Sequence, residues 1–241
     1  MKNKSNFSAS RISELLAVGT GKTAQSYILD LALQEIDLKP DFDTKEMKHG
    51  RVCQVDCYQF VIEANYQNTK WHDDFMPINE YCGASPDFFI EGNTGDVKCP
   101  YTIDNFITQI YNPPKKYLLQ IQMQMIAAKC NMGYLCFYLS KPEIWGEDKW
   151  EEYPFSLEKR YKIIEIKKDT EIQDLILKKV EEAHPLKIQL VSLLLGATNI
   201  ELEQFYYEQF EGLAYKPLKE ATSFYNLNEI FRVTDKFYYK K

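Results

Sequence analysis

The stretch Cys82–Pro100, CGASPDFFIEGNTGDVKCP, constrains this chain more than any other. Two short apolar runs, Asp87-Phe88-Phe89-Ile90 and Asp96-Val97-Lys98-Cys99, flank the turn-rich link Glu91-Gly92-Asn93-Thr94-Gly95, a pattern that predicts a β-hairpin. Side chains alternate across a strand, so Asp96 and Lys98 fall on one face, and a twisted hairpin brings Asp87 beside them. Two carboxylates and an ammonium gathered this way suit a hard divalent cation with a basic partner.

Composition narrows the classes. A chain of 241 residues with 45% hydrophobic and 14% aromatic content is expected to fold around a substantial core. Apolar runs such as Leu190 to Leu195 fall far short of the roughly 20 residues that span a bilayer, and no apolar signal region follows Met1, so a protein of the cytoplasm, without a membrane partner, is expected. Six scattered cysteines point to reduced thiols rather than a disulfide framework. A net charge of −6 argues against nonspecific coating of nucleic acid, though not against an enzyme that acts on it. Lys2, Lys4, Arg11, Lys22, Lys115, Lys116 and Lys129 form either a local basic track or a set of scattered solvated cations.

Along the chain, Ser8 to Leu16 reads as a helix start capped by Ser8 or Ser10, an end that can also hold phosphate. The loop Val18 to Thr23, VGTGKT, superficially resembles a phosphate-binding loop. It has Leu16 where the full pattern needs glycine, and it follows a helical pattern instead of a strand, so an interhelical loop is the better reading. Helices are predicted at Thr23 to Ile36 and, after a loop from Pro40 to Lys48, at His49 to Ala64. Cys53 and Cys57, spaced i, i+4 there, read as buried small side chains, with a zinc or iron–sulfur site as the alternative.

Beyond the hairpin, a short helix from Thr102 to Ile110 precedes Pro113-Pro114. Lys116 to Cys130 is an amphipathic helix in which Gln120 and Gln124 share a face and Gln122 lies roughly opposite, with solvated glutamines as the default reading. Strands are predicted at Tyr134 to Leu139 and Tyr161 to Ile166, then a helix from Thr170 to about Leu195 that Pro185 kinks or breaks. The remainder is rich in Tyr and Phe, with a helical stretch from Ile200 to Phe210.

Taken in order, these segments resemble the lambda exonuclease or YqaJ-type viral recombinase nucleases of the PD-(D/E)xK superfamily, over roughly residues 8 to 190. The resemblance rests on Ser8-Ala9-Ser10, Met47-Lys48-His49-Gly50, Ser85-Pro86-Asp87, Gly95 to Thr102, and Tyr117-Leu118-Leu119-Gln120-Ile121-Gln122. It implies an α/β (α+β) fold, a central mixed β-sheet flanked by helices, with a restriction-endonuclease-like core. The expected domains are a nuclease domain over 1–195 and a C-terminal extension over 196–241.

The resemblance implies a metal-dependent deoxyribonuclease, most simply a 5′-to-3′ exonuclease on linear double-stranded DNA in phage-type recombination. Asp87 and Asp96 would ligate Mg²⁺, or Mn²⁺ in its place, with the Val97 carbonyl as a further oxygen. Lys98 would orient or help deprotonate the attacking water. Gln120 would sit near the scissile phosphate, and Ser10 and Ser85 match positions that bind the 5′-phosphate. A homotrimer and a single-strand annealing protein are the implied partners. One position departs from the pattern: Gln54 stands where the family usually has a glutamate, so it offers at most a weak or water-mediated metal contact, and Asp56 lies about 200° away around the helix. A DNA-end-binding protein with weakened catalysis and an endonuclease of the same superfamily are the alternatives.

Overall fold

The computed structural model describes residues 5–17, 21–38, 44–140 and 156–196. The chain divides into two compact units. One comprises the described residues before 42, Phe75–Ala84 and those from Asp169 onward; the other covers 42–74 and Ser85–Lys168. The extension expected over 196–241, with its helical stretch Ile200 to Phe210, lies beyond residue 196 and so outside the described residues.

The first unit contains a three-stranded mixed sheet. β1 (Phe7–Ser8) runs parallel to β4 (Cys82–Ala84), and β3 (Met76–Pro77) runs antiparallel to β4. Its helices are α1 (Ile12–Leu15), α2 (Lys22–Glu35) and the long α7 (Thr170–Gly196), the last packing on both α1 and α2. Pro185 lies inside α7 without dividing it into two helices. Buried Lys187 of α7 is paired with Glu35 at 2.9 Å and donates to the Ser5 carbonyl at 3.2 Å, so its charge enters this interior with partners. The helix expected from Ser8 begins instead as a strand followed by a 3-10 turn at Ala9–Arg11. Ser8 has the extended backbone of an N-cap, but its side chain caps nothing and lies 3.2 Å from the Ser10 hydroxyl. Residues 18–20 of the VGTGKT loop lie outside the described residues; Gly21, at φ 78°, precedes α2, and the element before the loop is α1.

The second unit is built on a five-stranded mixed sheet in the order β2 (Thr69–Trp71), β5 (Phe88–Ile90), β6 (Asn93–Lys98), β7 (Met132–Tyr138), β8 (Tyr161–Lys167). Only β6 and β7 pair in parallel. A parallel pair needs a long crossover, and α5 (Ile103–Tyr111) and α6 (Lys115–Ala128) provide it. α3 (Lys45–Cys57) begins inside the segment expected as loop, because the Thr44 hydroxyl accepts from Met47 N at 3.2 Å and caps it. It continues through a π-helical segment, Tyr58–Ile62, into α4 (Glu63–Asn65).

Alternation along β6 sorts its side chains between two layers. Val97 joins a core cluster with Cys57, Tyr58, Val61 and Ile62 of the α3–α4 segment, Phe88 and Ile90 of β5, and Cys136 of β7. Asp96 and Lys98 face α6 instead. The predicted hairpin is present but tighter than expected. Ile90 pairs with Asn93, leaving Glu91 and Gly92 as a two-residue turn with both φ positive, at 50° and 81°, the type I′ arrangement that matches strand twist. Cys82–Ala84, which looked continuous with the hairpin, belongs to the other unit's sheet. The helices and strands flanking β6 thus match the expected mixed sheet flanked by helices, and among the described residues no helix is long and apolar enough to cross a membrane.

Gly95 is required by its cross-strand neighbour: the ring of Phe88 occupies the space that a Cβ at position 95 would fill. Gly95→Ala is therefore expected to destabilise the fold by about 1–3 kcal/mol, the usual cost of overpacking a close-packed core, as measured by urea denaturation.

Candidate active site

The hairpin, α3 and α6 bring six of the residues singled out from the sequence into one place within the second unit. Asp96, in the interior strand β6, is 2% exposed. Its Oδ1 accepts from Gln120 Nε2 at 2.5 Å and from Gln124 Nε2 at 2.8 Å. Its Oδ2 lies 2.5 Å from Lys98 Nζ as an ion pair, without an aligned hydrogen bond. Asp87, at the start of β5, has its Oδ2 facing the backbone of β6, where it accepts from Val97 N at 2.7 Å. Gln54 reaches the same point from α3, its Nε2 donating to Asp87 Oδ2 at 3.2 Å and to the Val97 carbonyl at 3.4 Å.

Three partners were not legible as such. Gln124 joins Gln120 on Asp96, and its Nε2 also approaches the Ser85 carbonyl at 3.4 Å. The signal for it was present in the i, i+4 spacing, but the default of solvated glutamines is overturned: Gln120, Gln122 and Gln124 are all buried. Gln122, on the other side of the helix, donates to the Lys167 carbonyl at 2.8 Å. Tyr117, three residues before Gln120, places its ring 4.9 Å from Lys98 Nζ. His72 at the end of β2 donates its backbone N–H to the Asp87 carbonyl at 2.9 Å, extending the pairing that holds the start of β5.

Other candidates lie elsewhere. Ser85 is half-buried just before Asp87, whereas Ser10 belongs to the first unit, exposed and beside Ser8. Arg11 is bound to Glu14 at 2.6 Å and to Asp30 at 2.9 Å, so its charge is already matched. Lys2 and Lys4 lie outside the described residues. Cys53 and Cys57 are buried, as expected. Cys53 contacts His49 at 3.6 Å, and hydrogen bonds from Cys99, His49 and Ser140 pull its thiol down to about 5 against the opposing effect of burial. Cys57 Sγ lies 3.5 Å from Cys136 Sγ. Among the described residues no three or more His, Cys, Asp or Glu side chains gather into a metal-binding group.

The electrostatics explain what the hairpin can hold. Burial raises the pKa of Asp87 well above the ordinary carboxylate range, and the negative charge of Asp96 adds to the rise; Lys98 and the Val97 N–H oppose it without cancelling it. For Lys98 burial favours loss of the proton, but Asp96 and Asp87 together outweigh it and the pKa goes up. Asp96 Oδ2 and Gln124 Oε1 are both buried and lack a hydrogen bond. Two carboxyl groups, a backbone carbonyl and the amide oxygen of Gln124 make a set of hard oxygen donors. That set fits Mg²⁺ or Mn²⁺, with Asp87, Asp96 and the Val97 carbonyl as the residues that would hold the ion. Gln54 offers an amide oxygen only after its side chain turns over, because the amide nitrogen now faces the two acceptors.

The fold around this site is shared with known exonucleases. A phage-related exonuclease from Haemophilus somnus 129PT superposes with a TM-score of 0.68 at 19% identity, covering 78% of this chain and 96% of that one. An alkaline exonuclease from Laribacter hongkongensis, LHK-Exo, gives 0.62 at 19% identity, covering 79% and 91%. Its complex with dAMP gives 0.63, again at 19% identity, covering 80% and 92%. At this identity the likeness is one of fold. A comparison with curated protein sequences gives no match. The YqaJ-like viral recombinase domain matches residues 1–131, and the chain belongs to that family.

The raised pKa of Asp87 has a measurable sign. The folded chain holds a proton on Asp87 that the unfolded chain has released above about pH 4, so in chelator this residue costs increasing stability as pH rises from there through its folded pKa. Asp87→Asn should therefore melt above the parent in chelator, by a margin that widens as pH rises above the ordinary carboxylate range. Added Mg²⁺ should raise the melting temperature of the parent and not of the variant, as followed by scanning calorimetry.

Proposed function

We propose that this chain is a metal-dependent deoxyribonuclease, and most simply a 5′-to-3′ exonuclease acting on the ends of linear double-stranded DNA. The observation that carries the reading is the Asp87–Asp96–Lys98 constellation on one hairpin, where Asp87 accepts from Val97 N and Asp96 is paired with Lys98. Membership of a viral recombinase family and a fold shared with exonucleases support it. When bound, Mg²⁺ or Mn²⁺ would polarise a phosphate oxygen and acidify a water molecule.

The protein's own groups do the rest. Asp96 is fixed in direction by two neutral amide donors on Oδ1, and Lys98 lies against its other oxygen. Asp87 is pinned by the Val97 N–H. With its proton affinity raised by two carboxylates, Lys98 is an ammonium at neutral pH, suited to orienting the attacking water and offsetting charge on the phosphoryl oxygens in the transition state rather than to removing a proton. A cation held by the same carboxylates opposes that rise. Gln120, which touches Asp96 directly, is a positioning residue in this reading. Ser10 and Ser85 are carried as contacts for a 5′-terminal phosphate, and a homotrimer and a single-strand annealing protein as partners.

One observation favours a second reading. The Gln54 amide donates to Asp87 and Val97, the oxygens a cation would need, and brings no negative charge. A DNA-end-binding protein with weakened catalysis would be built this way.

The deciding experiment compares linear duplex bearing 5′-phosphate or 5′-hydroxyl ends with a covalently closed circle, in Mg²⁺, Mn²⁺ or chelator, with Lys98→Ala as the inactive control. Shortening of the phosphorylated linear duplex alone, dependent on metal and on Lys98, is expected. Degradation of the circle at an equal rate would replace the exonuclease with an endonuclease. Binding without shortening in either metal would favour the end-binding protein.

Gln54→Glu supplies a third carboxylate and removes the amide donor. It should tighten Mn²⁺ binding about tenfold by isothermal titration, since affinity for hard cations follows ligand charge. An unchanged titration would remove position 54 from the metal site.

A further inference from the structure

Lys98 has a second neighbour that the reaction described above does not use. Its Nζ lies 4.9 Å from the centroid of the Tyr117 ring. Tyr117 stands in the first turn of α6, three residues before Gln120 and seven before Gln124, so the three share one helix face. That face touches both charged partners of the site: the glutamines hold the Asp96 carboxylate, and the tyrosine ring meets the Lys98 ammonium. The ring is itself supported. It lies against Phe137, with centroids 6.1 Å apart and planes inclined at 58°, and Phe137 is the register partner of Lys98 across β6 and β7. Exposed Lys116 lies 5.0 Å from the same ring.

The chemistry of the two partners of Lys98 differs in a useful way. Lysine is a compact, strongly hydrated charge on a flexible stem, and Asp96 alone gives it an ion pair without an aligned hydrogen bond. An aromatic face attracts the cation electrostatically while taking up none of its directed hydrogen bonds. The stem is thereby restricted and the N–H groups stay available for a water or a phosphate oxygen. We propose that Tyr117 is a positioning residue that holds the Lys98 ammonium in its working orientation through the ring face, with no role for the hydroxyl. This rests on the nuclease reading for the task of Lys98, but not for the contact itself.

The test uses the full chain with Tyr117→Phe, which keeps the face, and Tyr117→Leu, which keeps approximate bulk and removes it. Without DNA or metal, the Lys98 side-chain protons, assigned by comparison with Lys98→Ala, should show upfield ring-current shifts in the parent and in Tyr117→Phe and lose them in Tyr117→Leu. On linear duplex in saturating Mg²⁺, Tyr117→Leu should lower kcat by about tenfold to a hundredfold with KM nearly unchanged, while Tyr117→Phe restores turnover. Unshifted Lys98 protons in the parent, full kcat in Tyr117→Leu, or failure of Tyr117→Phe to restore turnover would each overturn the proposal. A parent that shifts Lys98 but hydrolyses no DNA would instead overturn the nuclease reading and leave the contact established.

Discussion

The second unit is arranged around a buried carboxylate. Placing a charge where Asp96 sits is costly unless hydrogen bonds and an opposite charge accompany it, and the chain meets that demand from several directions. α6 must run alongside β6 and β7 to deliver Gln120 and Gln124; β6 must be an interior strand so that its backbone cannot sag away from them; Lys98 must follow at the next position on the same face. Move any of these and a negative charge is left unmatched in the interior. The geometry of the site and the integrity of the sheet are therefore one problem, solved by the same residues.

The choice of glutamine on α6 has a physical logic. An amide donates strongly yet is neutral, so Asp96 Oδ1 is oriented without a second positive charge beside that of Lys98. Arginine or lysine in the same places would have added further positive charge to that of Lys98. The residual mismatch shows in Asp96 Oδ2 and Gln124 Oε1, which lack a hydrogen bond, and in the raised proton affinity of Asp87. A fold selected for stability alone would have relieved these; their persistence at one spot is what a site held ready for a ligand looks like.

Much of this could be read before any coordinates. The hairpin, the helices around it, and the shared face of Asp96 and Lys98 all follow from local periodicity and turn chemistry. Gln54 stands out in the sequence as a glutamine where a family pattern has a glutamate, and its side chain lies 3.2 Å from Asp87. What escaped was information held by distant partners. Strands of two or three residues such as Phe7–Ser8, Met76–Pro77 and Cys82–Ala84 carry no periodicity and exist only because another segment pairs with them. Ser8 looked like a cap by residue type, but its neighbours adopt a strand and a 3-10 turn that leave its hydroxyl to Ser10. The buried glutamines looked solvated because nothing local announces that an acid on another strand awaits them.

The turn at Glu91-Gly92 carries a consequence for how such a chain can vary. Surface loops ordinarily absorb insertions at little cost. Here a two-residue connection sets which residue of β5 lies across from which residue of β6, and with it the side of the sheet on which Asp87 stands relative to Asp96. One added residue would carry Asp87 to the other side and dismantle the acid pair without touching either carboxylate. The most exposed bend of the hairpin is thus among the positions least free to change in length, whereas exchanging Glu91 or Gly92 for another residue leaves the number of residues between the strands intact.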